Sequence, residues 1–473
     1  MAKQSLMNEP AAPAGLFDWA RRRLVSVWRD FAASPTGEGE ESIEAQIRAC
    51  LDGRGGEISA RNRAARLART YLGLDAAGQK SFLETLASFD SDPEAVASAY
   101  QAFQEAGDPA SRAGATAALR RVLEPPRQKL LRQFTSIPNG VKFLVDLRAK
   151  LRETNGGSTL LAALESDLHG LLASWFDIGF LELRRIDWSS PASLLERLVG
   201  YEAVHSIRSW RDLKNRLDSD RRCYAFFHPR MPDEPLIFVE VALVQGFADS
   251  VQKLLDEKAP LLDPHTADTA IFYSISNCQR GLSGISFGNF LIKRVVEELT
   301  HEFRNLHTFA TLSPVPGFRR WLAELLADEK EGLFSVEEAA SLRTAAPADR
   351  PAAETGAAAL LAILSRRGWW RDPSILPAAE PVLRRLCARY LLAESNGPRA
   401  LDPVAHFHLA NGARLERINM LADVSERGVK EGGTLMVNYL YDPDRIEEWH
   451  EDYVGGSKRN ASTGVRKLLR GWS

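Results

Sequence analysis

From Leu16 to Phe176 apolar side chains recur at three- and four-residue intervals in a background rich in Ala, Leu, Arg and Glu, the periodicity of helices that bury one face. Arg61–Leu72 and Ala113–Leu123 are representative. Turn residues punctuate the pattern at Gly53 to Gly56, Asp90 to Pro93, Pro125 with Pro126, and Asn155 to Gly157, because Gly and Pro interrupt helices. The segments share no fixed repeat, so a bundle is expected rather than a solenoid. Its default role is scaffolding or oligomerisation. Near the start, Leu16, Ala20, Leu24, Val27 and Phe31 keep helical spacing beside several arginines. Asp18 and Asp30 weaken a presequence or membrane-surface reading, which leaves an ordinary helix docked on its own domain.

After Asp177 the period shortens. Cys223–His228 alternates apolar with polar, Leu236–Val244 is strongly apolar, and Thr269–Ser276 and His307–Leu312 read as further strands,. A helix is expected from Asn289 to Arg304. Strand, loop, helix and strand in that order predict an α/β layer with a right-handed crossover between parallel neighbours. Later come a helix over Ala379–Glu394, a strand over Thr434–Tyr441 and an exposed loop over Ala345–Gly356. The expected architecture is multidomain, with an all-α helical bundle over residues 1–175 and a mixed α/β domain over 176–473.

Composition narrows the partners. The 473 residues carry 60 Lys plus Arg against 62 Asp plus Glu, so no global field draws the chain to nucleic acid or an anionic membrane. No apolar run approaches the roughly 20 residues that span a bilayer. Cys50, Cys223, Cys278 and Cys387 lie far apart, without a paired C-x-x-C spacing, which points to a reducing compartment.

Between the third expected strand and its helix, Cys278 to Phe290 reads CQRGLSGISFGNF, with Gly281, Gly284 and Gly288. Glycines let a backbone turn its amides inward, and a helix N-terminus adds positive potential, so such a loop can hold a pyrophosphate, with Arg280 supplementing the charge. Neither the dinucleotide fingerprint nor the G-K-[ST] triphosphate loop is present. The loop resembles that of the GNAT acyltransferases, in which acyl-CoA lies across the opening between two strands, and CoA is the leading ligand.

Ser313 follows the fourth expected strand in TLSPVPGFRRWL, where Pro314 favours an extended Ser313 and aims its hydroxyl at the end of the sheet. Further on, DPVAHFHLANGARLERIN holds His406 and His408. If that stretch is extended, both imidazoles share a face. No third metal ligand accompanies them, so one acid/base histidine with a structural neighbour is favoured over a metal pair.

The blocks FYSISNCQRGLSGISFGNFLIKRVVEEL, FATLSPVPGFRRWL, DPVAHFHLANGARLERIN, ADVSERG and LMVNYLYD, in this order, resemble those of malonyl-CoA decarboxylases. So do WFDIGFLELRRIDWSSPASLLERL and EAVHSIRSWRDLKNRL upstream. The resemblance covers Trp175 to Tyr441. It implies a helical oligomerisation domain followed by a GNAT-like acyl-CoA-binding domain, a homotetramer built as a dimer of dimers, malonyl-CoA as substrate and acetyl-CoA as product. It implies Ser313 and His408 as catalytic residues, Ser283, Gly284, Ile285, Ser286, Phe287, Gly288 and Asn289 as the CoA-contacting loop, and Tyr441 as a further active-site residue. Animal members carry an acidic residue in that loop, where this chain has Ser286. The terminal RGWS lacks the peroxisomal S-K-L type signal, and a bacterial cytoplasmic enzyme is expected.

No cofactor or metal is expected, because the thioester itself can accept the electrons released on decarboxylation. A GNAT-type acetyltransferase is the alternative. A serine hydrolase is disfavoured by the missing G-x-S-x-G elbow and the lack of an identifiable acid for His408. A CoA-sensing scaffold would show no turnover.

Overall fold

A computed structural model describes residues 41–52, 56–285, 290–328, 332–347 and 354–469. The expected helix over Leu16–Phe31 lies outside them. Eight helices open the described chain: α1 (Ile43–Leu51), α2 (Glu57–Gly73), α3 (Ala76–Ser88), α4 (Pro93–Glu105), α5 (Pro109–Leu123), α6 (Pro126–Phe134), α7 (Gly140–Thr154) and α8 (Thr159–Trp175). Their starts are chemically marked. Asp75, Asp92, Asp108 and Ser158 each accept a backbone N–H of the first turn, and Pro93, Pro109 and Pro126 occupy first-turn positions, where a missing N–H costs nothing.

α7 lies at the centre of this half and buries Val141, Phe143, Leu144, Val145, Leu147 and Leu151. Ion pairs tie its neighbours together. Arg127 of α6, almost fully buried, meets Asp167 of α8 at 2.6 Å and donates to the Ala87 carbonyl of α3 at 2.9 Å.

The rest is built on one sheet: β1 (Glu182–Ile186), β2 (Arg221–Phe227), β3 (Ile237–Val244), β4 (Thr269–Asn277), β5 (Thr308–Thr311), β6 (Ser313–Pro314), β9 (Arg414–Asn419) and β10 (Met436–Tyr441), with β7 (Ser395–Asn396) and β8 (Arg399–Ala400) forming a separate ribbon. The five expected strands appear, with edges moved by one or two residues. The other strands escaped expectation: β1, whose outward face is charged, β9 in RLERIN, and the two-residue β6, β7 and β8.

Neighbours run antiparallel except β4 and β5. Those two are parallel, joined through the loop at Cys278 and the helix Phe290–Glu302. β5 and β6 pair with one side of β10 and β9 with the other, the break between β5 and β6 falling at Leu312. β10 therefore runs between β9 and the interrupted β5–β6 strand.

One large core cluster joins this sheet to the helices that follow it, including Phe318–Ala327 and Leu376–Leu392. The latter accommodates Pro381 in its first turns. A second cluster fills the helical half but also takes in Met231, Leu236, Leu282 and Ile285 from the sheet half. The two halves therefore share buried surface.

Candidate active site

β5 ends at Thr311, while Leu312 keeps its N–H on the Phe272 carbonyl of β4, at 3.0 Å. β6 then resumes against β10, with Ser313 opposite Val437. Thr311 and Ser313, two residues apart, share a face of the extended chain. Both are buried. The Ser313 hydroxyl donates to Thr311 Oγ1 at 2.9 Å and lies 2.9 Å from His408 Nε2.

His408 comes from a helix, not from an extended segment. Asp402 caps it by accepting the N–H groups of Val404 and Ala405 at 3.0 and 2.8 Å, and Pro403 occupies its first turn, so Pro403–Ala410 is helical,. Residues two apart on a helix point in different directions. His406 accordingly leaves the site and meets Tyr453 Oη at 2.9 Å, while His408 turns inward. The helix ends before Gly412, in a left-handed conformation where a Cβ would collide with the Ile446 carbonyl,.

The His408 ring stacks on Tyr439 with centroids 4.5 Å apart, and its Nδ1 lies 2.8 Å from Tyr441 Oη. Burial alone pushes the His408 imidazolium down to about 3, and burial drives the Tyr441 phenol far above its ordinary range,. Both groups are thus neutral at neutral pH. Tyr441, Tyr439 and Val437 all come from β10, so one strand presents the residues that bracket His408 and Ser313.

The expected phosphate loop is held from behind by the helical half. Arg148 of α7 donates to the Gly281 and Ser283 carbonyls at 2.6 and 3.0 Å, Arg152 to that of Arg280 at 3.4 Å, and His169 of α8 lies 3.4 Å from that of Gly284. Arg148 also pairs with Glu165 at 2.7 Å. Gly281 lies so close to α7 that a Cβ would strike the Val145 carbonyl. Arg280, expected to supplement the charge, pairs with Glu153 of α7 at 2.9 Å. Ser283 is half-buried, Gly284 exposed with φ +81°, and Ile285 is buried in the helical-half core. Ser286, Phe287, Gly288 and Asn289 lie outside the described residues.

Residues 179–473 match the family model described as the malonyl-CoA decarboxylase C-terminal domain, and residues 89–176 match the N-terminal domain of the same family. The chain belongs to the malonyl-CoA decarboxylase family. Mitochondrial malonyl-CoA decarboxylases are among its relatives, at 36% identity in Anser anser anser (87% of this chain and 84% of the relative) and 37% in Mus musculus (80% and 77%). The malonyl-CoA decarboxylase structures from Rhodopseudomonas palustris and Agrobacterium vitis are each 41% identical to it. They cover 90% of this chain and 98% and 99% of their own, with TM-scores of 0.80 and 0.81.

For a malonyl-CoA decarboxylase, the fold brings Ser313, His408 and Tyr441 into one buried hydrogen-bonded chain. Three members of that surrounding went unread in sequence, Tyr439 against the His408 ring among them. Thr311 could have been found from its two-residue offset to Ser313. Asn438 could not, because its partners are the Thr311 and Ala248 carbonyls, at 2.7 and 3.0 Å, and Asn419 Nδ2, at 2.7 Å. Among the described residues no group of three or more His, Cys, Asp or Glu side chains could hold a metal, and no helix is long and apolar enough to cross a membrane.

Proposed function

We propose that this protein decarboxylates malonyl-CoA to acetyl-CoA and carbon dioxide, using Ser313 and His408 to deliver the proton and no cofactor. The observation that carries the reading is the neutral chain Tyr441–His408–Ser313, with contacts of 2.8 and 2.9 Å, in a member of this family.

Breaking the bond between the α-carbon and the carboxylate leaves its electron pair in an enolate spread onto the thioester oxygen. The enolate then needs a hydrogen-bond donor and a proton. In this reading the Ser313 hydroxyl meets that oxygen and passes its proton to the α-carbon, as carbon dioxide leaves. His408 Nε2–H replaces the Ser313 proton as the Tyr441 hydroxyl proton passes to Nδ1, so the imidazole stays neutral, and solvent then restores the phenol and the resting tautomer. Tyr441 holds the ring by donating to Nδ1. A serine nucleophile is supported best by a carboxylate that stabilises the imidazolium formed during attack. His408 has a phenol instead, which favours proton delivery. The loop from Ser283 to Asn289 anchors CoA, with Arg148 fixing its described part.

The test is turnover of malonyl-CoA in deuterium oxide, followed by mass spectrometry. Acetyl-CoA carrying solvent deuterium is expected. Ser313→Ala and His408→Ala each lower kcat by about 10²- to 10⁴-fold, while KM changes little. Free CoA with malonate as the products would overturn decarboxylation, and undiminished kcat in Ser313→Ala would overturn the assigned role.

A further inference from the structure

A serine–histidine pair is nucleophilic or proton-donating according to the direction of one hydrogen bond. An imidazole that accepts the serine proton prepares the oxygen for attack, whereas one that donates N–H to that oxygen does the opposite. Here the direction can be read from the neighbours. Ser313 has one proton, and it is committed to Thr311 Oγ1 at 2.9 Å. With that proton on Thr311, Ser313 Oγ accepts from His408, 2.9 Å away, in the tautomer that carries hydrogen on Nε2. Nδ1 is then bare and accepts from the Tyr441 hydroxyl at 2.8 Å. The whole chain has one polarity.

Thr311 is built to impose it. Its side chain is fully buried, and its Oγ1 also accepts the Tyr439 N–H at 3.1 Å, filling a gap in the β5–β10 ladder. Its carbonyl accepts from Asn438 Nδ2 at 2.7 Å. Asn438, itself wholly buried, is fixed in turn by the Ala248 carbonyl and Asn419. Backbone and side chain of Thr311 are thus both held, and its oxygen stays aimed at Ser313.

We propose that Thr311 is a positioning residue that selects the reaction type: by taking the resting Ser313 proton it keeps the pair a proton donor to an enolate and suppresses attack of Ser313 on the thioester. Removing that acceptor releases the proton to His408 Nε2 and moves the ring hydrogen to Nδ1, where it faces Tyr441 Oη. Ser313 Oγ can then attack the thioester carbonyl carbon as its proton passes to Nε2. The C–S bond breaks and the departing sulfur takes that proton, giving free CoA. Water, deprotonated by His408, then hydrolyses the acyl-Ser313 ester and restores the serine. The inference rests on the decarboxylase reading above, of which it is a refinement.

The experiment compares wild type, Thr311→Val and Thr311→Ser with histidine labelled by ¹⁵N, assigning His408 by difference from His408→Gln. Ring-nitrogen shifts report the tautomer, and chromatography reports acetyl-CoA and free CoA formed from malonyl-CoA and from acetyl-CoA. The wild type is expected to show hydrogen on Nε2. Thr311→Val moves it to Nδ1, lowers decarboxylation about tenfold or more and raises CoA release from acetyl-CoA by at least about tenfold. Thr311→Ser restores both.

Hydrogen on Nδ1 in the wild type overturns the proposal whether or not Thr311→Val folds. So does a folded Thr311→Val that keeps hydrogen on Nε2 and its product ratio, since a purely structural role would lower both activities together. A wild type without decarboxylation, but with hydrogen on Nε2, would refute the activity while leaving the wiring in place.

Discussion

At the residue scale, burial controls the site more than charge does. His408 is buried with no charged group accounting for its shift, and its imidazolium is pushed down from an ordinary 6.5 to about 3. The folded protein therefore binds its proton more weakly than the unfolded chain. Stability from this residue is complete above pH 6.5 and is lost as pH falls through the window from 6.5 to 3. Between pH 7.5 and 4.5 the wild type is expected to lose about 1 to 3 kcal/mol that His408→Gln does not lose. Urea unfolding of both proteins across that range measures the difference, and parallel curves would refute it. Ser313, His408 and Tyr441 were legible in the sequence only through the resemblance, because no spacing rule links positions so far apart. Thr311 and Asn438 stayed hidden for a related reason: their importance lies in which atoms they satisfy, and that follows from the fold.

At the element scale, two local signals competed around His408. The His-x-His spacing suits an extended strand, but Asp402 followed by Pro403 is a helix start, and capping chemistry with a fixed φ prevailed. The hydrophobic strands β2 to β5 were easy to read, since both their faces are buried. β1 and β9 were not, because charged side chains alternate there with few apolar ones. The loop beginning at Arg280 shows what a neighbouring element adds. Its carbonyls are gathered by Arg148, Arg152 and His169, so these oxygens face the helices. Replacing Arg148 by Met together with Glu165 by Gln removes this partly buried pair without stranding a charge,. We expect KM for malonyl-CoA to rise about threefold to thirtyfold with kcat within about twofold. A change confined to kcat in steady-state assays would contradict this placement.

At the scale of the whole molecule, the division into helical and α/β halves was legible, because the hydrophobic period changes near Asp177. The shared surface was not, since Met231, Leu236, Leu282 and Ile285 look in sequence like ordinary core residues of their own half. Burying four such side chains is worth about 6 to 12 kcal/mol at 1.5 to 3 each, similar to the entire stability of a typical domain, about 5 to 15 kcal/mol. A chain beginning at Asp177 is therefore expected to melt at markedly lower temperature than the full chain, or to bind a hydrophobic dye without a cooperative transition. Calorimetry showing an unchanged transition would refute this.

The position of β10 has a consequence for the chain while it is being made. Ser313 leaves the ribosome 128 residues before Tyr441, counted along the sequence, and at about 5–20 residues per second that interval is on the order of ten seconds. For the first 95 residues of it Ser313 lacks the histidine that works with it, and for the rest it still lacks the completed strand that orders its surroundings. The site assembles when β10 slides between β9 and the broken strand. A nascent chain is thereby kept from acting on the cell's thioesters until nearly all of it exists.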